Sequence, residues 1–250
     1  MKHSFFLFFT TLILVFSCNK KTTESTVVTD SVEAAENDRY FEMADSSVFH
    51  IGDHVFELTT ISKADFEALP DLFKNMDTSE TNRMRAYASV VSRKGDSLGI
   101  TCANNKIIYM INNNDEDDDA FANYTFLKDM PEINQWLLMG TYYEAYGYLL
   151  IDKNSGDFTA LYGMPVVSPD KKYIITFNQD LQANFTFNGF QLFEMKQSKP
   201  VLIGEKELYT WGPDQVKWKG ANTLLIQQAQ SNFTDPEQDL STTYAEMKMK

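Results

Sequence analysis

YGYLLIDKNSGDFTALYGMPVVSPDKKYIITF, residues 146–177, decides the fold class. Tyr146, Tyr148, Leu150 and Asp152 alternate with Gly147, Leu149 and Ile151. That is the period of two of a half-buried strand, in a run rich in the aromatic and aliphatic side chains that strands favour. Lys153-Asn154-Ser155-Gly156 supplies turn formers, with Gly156 free to take the positive φ of a tight hairpin. The chain then returns along residues 157–162. Beyond Gly163, Ser168-Pro169-Asp170 places proline where its fixed φ suits the second position of a type I turn, and residues 173–177 follow as a strand. Three successive antiparallel strands are expected here.

The same texture extends in both directions. Before this stretch, strands are expected at residues 87–92, 98–103, 106–111, 121–127 and 133–142. After it they are expected at 190–195, 201–208, 215–218, 223–228 and 242–248. Arg93-Lys94-Gly95-Asp96 and Asn104-Asn105 have tight-turn composition. Many short strands at this spacing argue for an all-β domain, a small propeller-like assembly of antiparallel hairpins or else a barrel or sandwich. A parallel α/β sheet is excluded, because its crossover helices have no counterpart. One short helix is expected near the N-terminal end of the domain, at residues 62–69, with Ser62 as N-cap and Asp65 in the first turn. A surface loop should follow through Thr81. Residues 48–58 are strand-like around Gly52-Asp53, a candidate two-residue turn. On a continuous strand His50 and His54 stand roughly 13 Å apart; if the chain turns, they fall in neighbouring pairs on opposite faces, and either way they are poor joint metal ligands.

The D-x-x-S-G step, the small G-x-P element and the SPDKK turn before a hydrophobic strand resemble the TolB-like propeller repeat of bacterial envelope proteins. The likeness covers about thirty residues and implies one blade of a β-propeller per repeat. A second copy of the pattern aligns Val166–Ile175 without gaps on residues 216–225, and a weaker echo runs through Val90-Val91-Ser92, Lys94-Gly95-Asp96 and Leu98-Gly99-Ile100.

The N-terminus speaks to location. Lys2 precedes an apolar core at residues 5–16, whose length as a helix is roughly 18 Å, short of the ~30 Å a spanning segment needs. Val15-Phe16-Ser17-Cys18 resembles the lipobox of bacterial lipoproteins. That resemblance implies a signal peptide at residues 1–17 and Cys18 as the diacylated, palmitate-bearing first residue of a mature, membrane-anchored chain. Residues 18–47 are rich in Thr, Ser, Glu and Asp and read as a flexible tether, leaving residues 48–250 as the β domain. Cys102 is the second of two cysteines, so the fold must stand without an internal disulfide, and its strand-like surroundings predict a small buried hydrophobe.

Few residues point to chemistry. Asp115, Asp117 and Asp119 alternate within NNNDEDDD and could offer oxygens to Ca²⁺, although the glycine and glutamate of an EF-hand are missing and a solvated acidic hairpin loop is the preferred reading of the run. Glu144 stands among Tyr142, Tyr143, Tyr146 and Tyr148, a setting that suits sugar binding or, with a loop aspartate such as Asp180 or Asp214, glycoside hydrolysis. The polar loop at residues 178–189, which contains Asp180 and Asn184, exceeds what a hairpin needs. With Tyr142 and Trp211 it is the candidate recognition surface, Trp211 serving otherwise as core packing. Phosphate loops, CxxC pairs, HExxH and the G-x-S-x-G elbow are all absent. A net charge of −13 gives no footprint for nucleic acid. The expectation is therefore a lipid-anchored protein on the periplasmic or outer-membrane face of the bacterial envelope, non-enzymatic, binding an envelope protein or a glycan.

Overall fold

The computed structural model describes residues 45–71, 74, 76–115, 120–231 and 240–250. Among the described residues, sixteen antiparallel strands and two short helices make an all-β body. None of its helices is long and apolar enough to cross a membrane among the described residues. The strands form four sheets, and none closes into a barrel. The first contains β3 (Val91–Lys94), β4 (Ser97–Thr101) and β5 (Ile107–Ile111). The second contains β6 (Ala122–Met130), β7 (Gln135–Tyr142), β8 (Ala145–Asp152) and β9 (Phe158–Leu161). The third contains β10 (Met164–Val167), β11 (Tyr173–Asn178), β12 (Gly189–Lys196) and β13 (Lys199–Glu207). The fourth begins with β14 (Trp211–Gly220), β15 (Thr223–Gln230) and β16 (Ser241–Met249). The N-terminal hairpin of β1 (Val48–Ile51) and β2 (His54–Thr60) completes it by pairing β2 with β16.

Each apolar cluster lies between two sheets that are consecutive in the chain. Val91, Leu98 and Ile100 of the first sheet meet Phe126, Leu138 and Ile151 of the second. On the other face of the second sheet, Leu137, Leu150 and Leu161 meet Ile174 and Phe193 of the third. The far face of the third sheet then packs Ile175, Phe190 and Leu192 against Phe56, Leu224 and Met247 of the fourth. This stacking explains why WLLM in β7, YLLI in β8 and YII in β11 are continuous apolar runs: adjacent residues point to opposite faces, and both faces are covered. Each such side chain contributes ~1.5–3 kcal/mol on burial.

The deciding stretch needs one correction. It holds four strands, not three, and they belong to two sheets. The chain leaves β9 at Tyr162-Gly163 and enters β10, which pairs with β11. Gly163 is required at the crossing, because a Cβ there would lie 1.9 Å from the Phe177 carbonyl oxygen. The two turns are as expected. Gly156 has φ +74°, and Lys171 N–H donates to the Ser168 carbonyl at 2.8 Å across Pro169. Val166 pairs with Ile175 and Val216 with Ile226, so the internal repeat marks the first hairpin of the third and fourth sheets, offset by one bulged residue. Its weaker echo falls on the first hairpin of the first sheet.

The expected helix is α1 (Lys63–Glu67), closed by a reciprocal capping box between Ser62 and Asp65. Its buried Phe66 packs on Tyr244, and Lys217 donates to the Phe66 and Leu69 carbonyls from within the fourth sheet. A single helix followed by loop is corrected, because a second helix, α2 (Glu80–Arg85), starts at the Ser79 cap. The Glu80 carboxylate receives Arg93 Nε and Nη2 at 2.7 and 2.8 Å and Phe126 N–H at 2.7 Å, fastening α2 across two sheets. Residues 87–90, expected as strand, form turns that follow it. The folded body also reaches further toward the N-terminus than residue 48: Asp45 accepts from Tyr209 N–H, Thr210 N–H and the Thr210 hydroxyl, each at 2.8 Å.

Candidate functional site

The β7–β8 hairpin projects a row of tyrosines beyond the second sheet. Tyr142 pairs with Ala145 across a turn in which Glu144 has φ +52°. The Tyr142 ring folds back over Gly140, where a Cβ would come 2.4 Å from its hydroxyl oxygen. Burial, and secondarily the neighbouring Tyr124, pushes the Tyr142 phenol up to about 12. Tyr148 is pushed to about 12 by burial and then by Tyr146. Tyr146 is raised by burial and by the negative charge of Asp180.

The facing wall comes from the third sheet through the long loop between β11 and β12. Asp180 organises this loop. Its Oδ1 accepts Asn184 N–H at 3.0 Å, and its Oδ2 accepts Phe185 N–H at 2.9 Å and the Thr186 N–H and hydroxyl at 2.5 and 2.7 Å. Burial by itself would raise this carboxyl, but the donors on Thr186, Phe185 and Asn184 outweigh it and hold it below the usual range. Asn178, 4 % exposed, joins the two walls. It accepts the Tyr146 hydroxyl at 2.5 Å and donates to Thr186 Oγ1 and the Phe187 carbonyl at 2.9 and 2.7 Å.

Between the walls lies a groove of about 650 Å³, within the range of small-ligand sites. Tyr142, Tyr146, Tyr148, Tyr162, Phe185 and Phe187 line it, together with Glu205 and Glu207 of β13. Tyr162 and Phe187 pack against each other with ring centroids 5.1 Å apart. A second cavity of about 410 Å³ shares Tyr146 and Tyr148 and is bordered by Asn178, Asp214 and Gln215.

The residues singled out from sequence have different fates. Tyr142 lines the groove, and Asp180 and Asn184 build the loop that frames it. Trp211 does not reach the surface: it is 4 % exposed, packed on Phe190 at 5.9 Å. Glu144 is exposed at the tip of its turn. Cys102 is buried, and burial pushes its thiol up, which suits packing rather than nucleophilic attack. His50 and His54 fall in adjacent pairs of the β1–β2 hairpin, His54 lying edge-on to Tyr173. Asp115 follows β5, while Asp117 and Asp119 lie outside the described residues. No three His, Cys, Asp or Glu side chains converge on a metal position among the described residues. Residues 1–44, with Cys18, also lie outside them.

Tyr162, Phe185, Phe187, Glu205 and Glu207 were missed. The only signals for them were the alternation of Phe185-Thr186-Phe187 inside a polar loop and of Glu205-Lys206-Glu207 on a strand. No protein-family model matches the chain, and no curated protein sequence matches it.

Proposed function

We propose that this chain is a lipid-anchored protein of the bacterial cell envelope that works by binding, without catalysis, and that the aromatic groove receives a protein or glycan partner. The observation that carries the reading is the Tyr146–Asn178–Phe187 linkage, which holds two walls from different sheets in register before any ligand arrives. The four sheets are read as blades of a small propeller. Supporting this are the meander within each sheet, the packing of sheets in chain order, and the completion of the last by the N-terminal hairpin. The hydrolase reading would use Glu144 with a loop aspartate. It draws no support from Asp180, whose two oxygens are both engaged by its own loop.

Two measurements test the proposal. Mass spectrometry of the protein expressed in a Gram-negative host should find an acylated N-terminal peptide beginning at Cys18, and Cys18→Ser should move the protein from the detergent phase to the aqueous phase in a cloud-point partition. An unmodified thiol at position 18 would overturn the anchor. For the groove, Tyr146→Phe breaks the link to Asn178 and should weaken capture of envelope protein or glycan about fivefold, since a hydrogen bond of this kind is worth about 1 kcal/mol. Unchanged capture would remove the groove from the function.

A further inference from the structure

The groove's charge is unbalanced in a way that selects a ligand. No lysine, arginine or histidine is among its lining residues. Four donors near it are already spent inside the protein. The Tyr146 hydroxyl donates to Asn178, the Thr186 hydroxyl to Asp180, the Tyr209 hydroxyl to Glu207 and the Gln191 amide to Glu205. The lining then offers carboxylate oxygens and π-faces, beside the phenol hydroxyls of Tyr142, Tyr148 and Tyr162, and no positive charge. Glu205 uses one oxygen on Gln191 and Glu207 one on Tyr209, which leaves each a second oxygen with no partner among the described residues. The two carboxylates stand two residues apart on the same face of β13, roughly 7 Å along the strand. Lys206 between them turns to the opposite face, toward Asp45. A planar cation fits such a place: it stacks on an aromatic face, is drawn by the ring quadrupole, and donates in a fork to a carboxylate.

We infer that the groove recognises the basic side chains of an extended protein segment, arginine above all, with Tyr162 and Phe187 as the stacking wall and Glu205 and Glu207 as the charge partners. This rests on the groove being the binding surface and names the chemistry of what enters it. A neutral glycan would also stack on the rings and donate its hydroxyls to the glutamates, but it gains nothing from their negative charge, whereas a guanidinium is drawn by both rings and carboxylates. The net charge of −13 draws basic segments toward the protein in general. The test must therefore separate site from field.

The probe is an acetylated, amidated hexapeptide of alternating arginine and glycine, labelled for fluorescence anisotropy and titrated into the full-length protein in neutral detergent. Saturable binding is expected. Glu205→Gln with Glu207→Gln should weaken it at least tenfold, and Tyr162→Ala at least threefold. Asp53→Asn with Glu132→Gln makes the same change of net charge at exposed positions outside the groove and should weaken it less than twofold. Equal losses in the two double variants, or no saturable binding, would overturn the inference. A parallel titration with a neutral hexasaccharide of N-acetylglucosamine separates the two levels of the argument. Binding of the sugar but not the peptide keeps the groove as the binding surface and refutes the basic ligand. Binding of neither refutes both.

Discussion

Asn178 and Asp180 show how a few short polar side chains organise the surface on which function is proposed. Asn178 spends both its oxygen and its amide on three partners from two sheets, and Asp180 gathers three backbone amides and a hydroxyl of its own loop. Asp180→Asn keeps the shape but removes the charge that strengthens those bonds, and should lower stability by about 1–2 kcal/mol. The pH dependence has a definite sign. The folded carboxyl sits below its ordinary value, so its contribution is full above the ordinary carboxylate range and is lost as pH falls through the depressed value. Thermal melts of the wild type and the variant should differ near neutral pH and converge at strongly acid pH. A difference that persists unchanged in acid would show that the charge plays no part. At this scale the sequence was partly legible. Asp180 and Asn184 stood out because polar residues in a surplus loop have local work to do, and Tyr142 because tyrosines cluster there. Glu205 and Glu207 were silent, because an alternating charge on a strand says nothing about which neighbour it will face.

Strands and turns were the most legible elements, for a physical reason: side-chain alternation and turn chemistry are properties of six or eight consecutive residues. Where that window was too short, the reading failed. β10 is four residues, Met164–Val167, and no strand was expected there because nothing local announces that the chain changes sheets at Tyr162-Gly163. Gly163→Ala tests the importance of that crossing. The added Cβ meets backbone, which cannot rotate away as a side chain would, so the variant should lose about 2–4 kcal/mol, read as a lower urea midpoint. A midpoint within error of the wild type would show that β10 and β11 can move apart freely. α2 was missed for the complementary reason. Its Ser79 cap is ordinary, and the contacts that make it a helix worth forming, from Glu80 to Arg93 and Phe126, reach residues far along the chain.

The whole molecule is held by packing of consecutive sheets and by the return of its own beginning. Phe49, Ile51 and Phe56 enter the cluster between the third and fourth sheets, and β2 covers the edge of β16. A chain beginning at Met43 keeps these contacts, whereas one beginning at Ile61 loses three fully packed side chains and leaves an open strand edge. Melting followed by circular dichroism should show a cooperative transition for the first chain and none, or aggregation, for the second. A cooperative melt for the shorter chain would mean that the N-terminal hairpin is an accessory. The sequence by itself determined the all-β class, nearly every strand, both central turns and the α1 cap, since each depends on residues adjacent in the chain. Only the tertiary structure decided that the deciding stretch divides between two sheets, that Trp211 is core, and that Tyr162, Phe185, Phe187 and two glutamates converge on one groove. Those facts depend on which faces meet across sheets, and face pairing is set by the joint burial of residues far apart in the chain.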